Sequence, residues 1–255
     1  MMKRDIRPRI LVLLHQAHST PGRVGRLLSA AGADLDIRRH SLAELLPETL
    51  AEHDGVVVFG GPMSANDDCE WIGRQIAWLE TPLKEAKPFL GICLGAQMLT
   101  KALGARVFTY PDQRAEIGYA PISPCLAADR LCGELFPRWV YQWHRDGFDL
   151  PAGAELLAKG GEAFPIQAYR YGAKAVALQF HPEVTYQMMC RWTVRGAERL
   201  SLPGAQPRQS QLDGWFRFDG AVERWLRSFL PQWMNGRLPK VDAAPAPQER
   251  ALEFA

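Results

Sequence analysis

The first half of the chain alternates short apolar runs with amphipathic stretches. Ile10-Leu11-Val12-Leu13-Leu14 has no polar interruption, the pattern of a strand buried on both faces. Gly22 to Ala31 has helical period and stops at Gly32. Leu35 to Arg38 predicts a second strand and Leu42 to Ala51 a short helix interrupted by Pro47. Gly55 to Phe59 predicts a third strand, which runs into Gly60-Gly61-Pro62-Met63. A polar loop, Ser64 to Asp68, precedes a helix from Glu70 to Ala86. Apolar residues then lead into Cys93, and a helical stretch follows to Leu103.

Beyond Leu103 the pattern changes. Arg106 to Tyr110, Tyr119 to Ser123, Arg138 to Gln142, Pro165 to Tyr171 and Ala175 to Phe180 read as strands with few helices between them. Helices return at Tyr186 to Leu200 and Ala221 to Phe229. Leu202 to Gly214, with Pro203, Gly204 and Pro207, reads as a loop. Asp219 is placed to cap the helix after it, and the aromatic residues from Trp215 to Trp233, Phe216 among them, are expected to pack it. The expected fold class is α/β: a mostly parallel central sheet with helices on both faces and an antiparallel extension.

Composition narrows the class. The chain has 255 residues, 47% of them hydrophobic, with no internal repeat and no linker, which favours one substantial domain. The expected domain spans 1–234. From Asn235 onward Pro, Ala and charge dominate, so 235–255 is expected to be disordered. The formal net charge is +2 and the basic residues are scattered, which gives no argument for a nucleic-acid partner. Five cysteines occur without a C-x-x-C pair, so a reduced compartment is expected, with no metal site and no cofactor. The apolar run behind the basic N-terminus is too short for a signal core, and no stretch reaches the length of a membrane span. A cytoplasmic location is expected.

Cys93 carries the first chemical signal. Gly91 and Gly95 flank it two positions away on each side, between a strand and a helix. That is the layout of a nucleophile elbow. A helix N-terminus beneath a cysteine favours its thiolate. A nucleophilic cysteine needs a base, and the base needs an orienting group. Ala175 to Phe180 leads directly into His181-Pro182-Glu183. Residues two apart on extended backbone face the same side, so His181 and Glu183 can act together.

Three segments now resemble the signatures of class I (triad-type) glutamine amidotransferases. They are Gly60-Gly61-Pro62, Gly91-Ile92-Cys93-Leu94-Gly95-Ala96-Gln97 and Gln179-Phe180-His181-Pro182-Glu183. Lesser matches are Glu116 to Tyr119, Trp143-His144 with Asp146, and Pro151 to Ala154. The resemblance runs from Ile10 to Leu200, leaves 201–234 as a helical extension, and is strongest to stand-alone domains similar to the amidotransferase part of GMP synthase. It implies a flavodoxin-like sheet with Cys93 as nucleophile, His181 as base and Glu183 as its orienter. Gly61 and Leu94 become the oxyanion donors. Gln97, Pro62, Trp143, His144 and Arg145 become substrate-binding residues, with His144 a pocket wall and not a base. Arg145 departs from the glycine many members carry.

The expected reaction is hydrolysis of the glutamine side-chain amide to glutamate and ammonia through a γ-glutamyl thioester. A separate synthase is a possible ammonia acceptor, since no P-loop of the form G-x-x-x-x-G-K-[ST] occurs. A γ-glutamyl peptide hydrolase is the alternative within this chemistry. Outside it stand a thiol-based redox or chaperone protein and a non-catalytic regulatory subunit. His15, His18 and His40 are expected to be exposed or locally bonded, and Cys69, Cys125, Cys132 and Cys190 to be structural.

Overall fold

Leucine, isoleucine and valine in the apolar runs sort by period two into two cores, one on each side of a sheet. The computed structural model describes residues 7–239. Its first strands are β1 (Arg9–Leu13), β2 (Asp34–Arg38), β3 (Gly55–Val58) and β4 (Phe89–Ile92). Helices α1 (Gly22–Ala30), α2 (Glu70–Trp78), α3 (Glu80–Lys84) and α4 (Leu94–Ala102) connect or follow them. Then come β5 (Val107–Thr109), β6 (Glu116–Pro121), β7 (Ser123–Pro124), the short α5 (Leu126–Asp129), β8 (Trp139–His144) and β9 (Asp146–Phe148). The described chain closes with β10 (Ala154–Lys159), β11 (Ile166–Tyr171), β12 (Ala175–Leu178), α6 (Tyr186–Arg195) and α7 (Arg208–Met234).

The main sheet runs β2-β1-β3-β4-β12-β11-β10-β7. The first five strands are mutually parallel, and β11, β10 and β7 extend the sheet antiparallel. Ile10, Val12, Val57, Leu90, Ile92, Val176 and Leu178 face one core, where α1 and α7 pack. Leu11, Leu13, Val56, Val58, Phe89 and Ala177 face the other, beneath α2 and α4. β5 pairs with β9 and β6 with β8 in two small antiparallel ribbons beside the sheet. Among the described residues, no helix is long and apolar enough to cross a membrane.

Several local expectations are corrected. The 42–51 helix is a single 3-10 turn, His40–Leu42, closed by Ala43 at φ +68°. The rest is held by tertiary bonds, Trp78 Nε1 to Pro47 O and Leu50 N to Glu85, and not by a helix ladder. The 70–86 helix breaks at Leu79 into α2 and α3. The 202–214 loop ends early, because α7 starts at Arg208 and runs 27 residues. Gly214, read as a loop glycine, lies inside that helix. A Cβ there would sit 2.5 Å from the Tyr119 ring, so the glycine serves close packing. Asp219 is therefore mid-helix and caps nothing. Trp225, Phe229 and Trp233 pack the sheet as expected, but Phe216 is exposed. The expected tail divides. Residues 235–239 are seated, with Leu238 packed on the core and Arg170 Nη1 donating to Pro239 O, whereas 240–255 lie outside the described residues.

Candidate active site

Cys93 follows the last residue of β4, in the middle of the sheet, and begins α4. Its φ of +50° places a non-glycine residue in a sparsely populated region, a strain of about 1–3 kcal/mol. The fold holds it there from both sides. Its N–H donates to Leu178 O at 2.8 Å, and its carbonyl accepts from Gln97 N at 2.9 Å. The flanking glycines allow the turn. A Cβ on Gly95 would lie 2.1 Å from Val58 O on β3, and one on Gly91 would lie 2.8 Å from the Gly95 carbonyl.

β12 pairs parallel to β4, so the residues after its end emerge beside Cys93. His181 N donates to Tyr141 O at 2.9 Å, and its ring stands edge-on to Trp192 with centroids 5.0 Å apart. Nδ1 of His181 donates to Oε1 of Glu183 at 2.8 Å. Both side chains are 4% exposed. Nε2 of His181 and Oε2 of Glu183 are buried without another partner. Burial works against a charged imidazole, but the Glu183 carboxylate and the neighbouring Cys93 sulfur outweigh it and lift the His181 pKa to about 10.

The glycine turn after β3 completes the local arrangement. A Cβ on Gly60 would lie 2.8 Å from His181 Cε1 and 3.4 Å from Cys93 Cβ, so His181 and Cys93 both border the space beside Gly60. Gly61 faces Leu94, its virtual Cβ 3.1 Å from Leu94 Cδ2. Neither amide donates to a backbone carbonyl among the described residues. His15 holds this turn, a role its sequence position did not reveal. It is buried, and its Nδ1 donates to Gly60 O at 3.2 Å while its Nε2 accepts from Gln75 Nε2 at 3.0 Å. Burial pushes its pKa down, which keeps the ring neutral in this role. The expectation of an exposed or locally bonded His15 is thus corrected by partners 45 and 60 residues away.

The remaining candidates divide. Pro62 and Trp143 line a cleft of about 270 Å³ together with Gly60, Gly61, His181 and Trp192. His144 and Arg145 line an adjoining depression of about 230 Å³, which shares Trp143, Glu198 and Arg199 with the first. His144 has both nitrogens engaged, Nδ1 with Asp146 O and Nε2 with Glu116 Oε2, each at 3.0 Å. Gln97 is buried beneath the elbow, its amide donating to Asp146 O at 3.3 Å. Asp146 accepts from Ser64 Oγ at 2.5 Å and Thr109 Oγ1 at 2.7 Å, tying the segment after Pro62 to β5. Residues missed in the sequence also line the main cleft: Arg191, Arg195 and Arg199. Their spacing of four, on a helical stretch directly after Glu183, was the available signal. Among the described residues, no group of three or more His, Cys, Asp or Glu side chains is arranged to hold a metal ion.

The sequence model of glutamine amidotransferase class-I matches residues 19–190, which include the glycine turn, Cys93, His181 and Glu183. The chain belongs to the class I glutamine amidotransferase family. Relatives of this amidotransferase include the glutamine amidotransferase-like protein YfeJ of Salmonella typhimurium, 29% identical over 70% of this chain and 77% of that protein. A glutamine-hydrolysing GMP synthase subunit of Natronomonas pharaonis is 32% identical over 65% of this chain and 85% of that protein. Of the GMP synthases of Thermomicrobium roseum and Aeropyrum pernix, the chain spans only 24% and 35%. Among solved structures, the glutamine amido transferase from Methylobacillus flagellatus superposes with a TM-score of 0.82 at 26% identity, covering 93% of this chain and 98% of that one. The amidotransferase from Thermotoga maritima gives 0.78 at 31% identity, covering 89% and 98%. The family segment of this amidotransferase ends inside α6, so α7 lies wholly beyond it.

Proposed function

We propose that the chain hydrolyses the side-chain amide of glutamine to glutamate and ammonia, with Cys93 as nucleophile, His181 as proton carrier and Glu183 as orienter. The observation that carries this reading is the buried 2.8 Å bond from His181 to Glu183, with the His181 ring and Cys93 both bordering the space beside Gly60. The Cys93 sulfur attacks the amide carbon, and its electron pair becomes the new C–S bond. The carbonyl oxygen takes up negative charge in the tetrahedral intermediate. The Gly61 and Leu94 amides, neither of which donates to a backbone carbonyl among the described residues, are the donors for that oxyanion. Collapse breaks the C–N bond while His181 gives its proton to the leaving nitrogen, releasing ammonia and a γ-glutamyl thioester. Water then attacks the thioester, His181 takes the water's proton, and the C–S bond breaks to give glutamate. Glu183 holds the imidazole in one tautomer and balances its charge throughout.

Ammonia has two fates under this reading, transfer to a separate synthase or release. The relationship to the GMP synthase subunits of Archaeoglobus fulgidus and Natronomonas pharaonis supports the first. The test is release of ammonia and glutamate from glutamine by the purified chain. Equimolar products that require Cys93 support the reading, and no hydrolysis alone or with a candidate synthase overturns it.

A second reading has its own observation. Arg191, Arg195 and Arg199 line the cleft, and among the described residues neither Arg191 nor Arg195 has a carboxylate within salt-bridge distance. A substrate with a further carboxylate, such as a γ-glutamyl amino acid, suits that charge better than glutamine does. A kcat/KM for γ-glutamylglutamate above that for glutamine selects this branch. The reverse selects the amidotransferase branch.

A further inference from the structure

The strongest unexplained feature outside the site is a buried ion pair that leads to it. Arg23, in the first turn of α1, is 3% exposed, and Asp219, in the middle of α7, is 8% exposed. Nη2 of Arg23 donates to Asp219 Oδ2 at 2.5 Å and to Val184 O at 3.0 Å. The backbone N–H of Arg23 donates to Glu183 O at 2.8 Å. Arg23 thus holds the two consecutive carbonyls of Glu183 and Val184. Gly22, at φ +53°, lets α1 come this close, since a Cβ there would lie 2.3 Å from Glu183 O. Trp215 of α7 covers the guanidinium at 5.1 Å, and the Tyr119 hydroxyl lies 3.5 Å from Asp219 Oδ1.

We infer that Arg23 and Asp219 are positioning residues for Glu183, and that α7 is thereby a working part of the catalytic site although it lies beyond the family segment. The inference rests on the proposed role of Glu183. A buried ion pair is weak as a source of stability, because desolvating two charges offsets their attraction. Its effect here is geometric. A guanidinium already fixed by Asp219 has one orientation in which it can reach Val184 O. That fixes the backbone carrying Glu183, and the Glu183 carboxylate fixes the ring of His181. Without Asp219 the guanidinium is an unpaired buried charge, free to turn toward solvent and release the carbonyl.

The test compares Asp219→Asn, Arg23→Lys and Arg23→Met with the wild-type chain, each checked for folding by thermal melting. Two readouts are taken on folded protein: kcat and KM for glutamine, and the titration of the His181 ring followed by NMR. Partners that orient the ligands of a metal site contribute about 10–100-fold, and a drop in kcat of that order is expected by the same logic in Asp219→Asn and Arg23→Met, with KM within about twofold. The His181 titration is expected to move to lower pH in both, because Glu183 no longer faces the ring squarely. Arg23→Lys, which keeps the charge, is expected to lie between them and the wild type. An unchanged kcat and an unchanged His181 titration in folded Asp219→Asn would overturn the inference and leave the pair a structural bridge. If Asp219→Asn does not fold, Tyr119→Phe and Arg23→Lys carry the same two readouts, with the same outcomes on each side. Failure of the wild-type chain to hydrolyse glutamine, alone and with a candidate synthase, overturns the proposed function. The His181 titration still decides the positioning claim in that case.

Discussion

Nδ1 of His181 stands 2.8 Å from Oε1 of Glu183, with one proline between the two residues in the chain. Pro182 makes the short reach possible. The segment is not the extended one expected from the sequence: Val184 N donates to His181 O at 3.4 Å, so His181 to Val184 forms a turn with Pro182 at its second position, and the turn brings the Glu183 carboxylate to the imidazole. Removing the carboxylate's charge leaves a buried imidazole with burial as the dominant influence. Glu183→Gln should therefore lower the His181 pKa and reduce kcat by about 10³–10⁴-fold, as loss of an orienting carboxylate does in a triad. Glutamine turnover and ring titration measure the two effects.

The His181 charge also makes stability depend on pH. The folded pKa, about 10, lies above the ordinary value of 6.5. Its contribution is complete below pH 6.5 and is lost as the pH rises through about 10. Cys93→Ser removes the sulfur that helps raise this pKa. Melting curves between pH 6 and pH 10 should then show a shallower alkaline decline in Cys93→Ser than in the wild type.

Gly60→Ala separates geometry from fold. The added Cβ would meet the His181 ring at 2.8 Å and little else, so the ring must turn. The expected result is a folded protein with kcat reduced by about 10²-fold or more, since misplacing a reacting group by 1 Å has that effect. Gly95→Ala differs, because its Cβ would meet the Val58 backbone at 2.1 Å. That variant should melt well below the wild type or fail to fold.

His144→Ala should behave unlike His181→Ala. The ring of His144 bridges Glu116 and the Asp146 carbonyl, and it does not line the main cleft. Removing it leaves Glu116 Oε2 with Gln167 Nε2 and the Asp146 carbonyl with Gln97 Nε2, a loss of about 0.5–1.5 kcal/mol of stability per hydrogen bond. Chemical denaturation checks this. The turnover of the folded fraction should stay within about tenfold of wild type, while under the proposed mechanism, in which base and nucleophile act as a unit, His181→Ala should lose several orders of magnitude.

The end of the described chain offers a stability test. Leu238 packs on the core and Pro239 O accepts from Arg170 Nη1 at 2.7 Å. A chain ending at Met234 should melt several degrees below one ending at Pro239, at about 1 kcal/mol per lost contact.

The parallel core and the segments carrying Cys93, His181 and Glu183 were legible because each depends on neighbours in sequence. Two-faced strands need uninterrupted apolar runs, and a tight elbow needs glycines at fixed offsets. What sequence did not reveal depends on distant partners. Gly214 resembles a loop glycine until Tyr119 is found against it. Asp219 resembles a cap until Arg23, 196 residues away, occupies it. His15 resembles a strand-end histidine until Gly60 and Gln75 close around it. Likewise, the bonds of His144 to Glu116 on β6 and to the Asp146 carbonyl are not visible from its place in the sequence. The strand β10 went unread because its alternation is broken by two register shifts against β11.

The two rims of the main sheet have a consequence for the protein in concentrated solution. One rim is β2, whose Asp36 gathers Arg9, Arg38 and His53 and has its pKa drawn down to about 2, first by the Arg38 hydrogen bond. The other is β7, two residues long and ending in Pro124. An exposed strand edge is a template for a foreign strand, and charge, brevity and proline are the features that block such templating. This eight-stranded sheet therefore presents neither rim as a seed for edge-to-edge aggregation, and the charge on Asp36 persists down to strongly acidic pH.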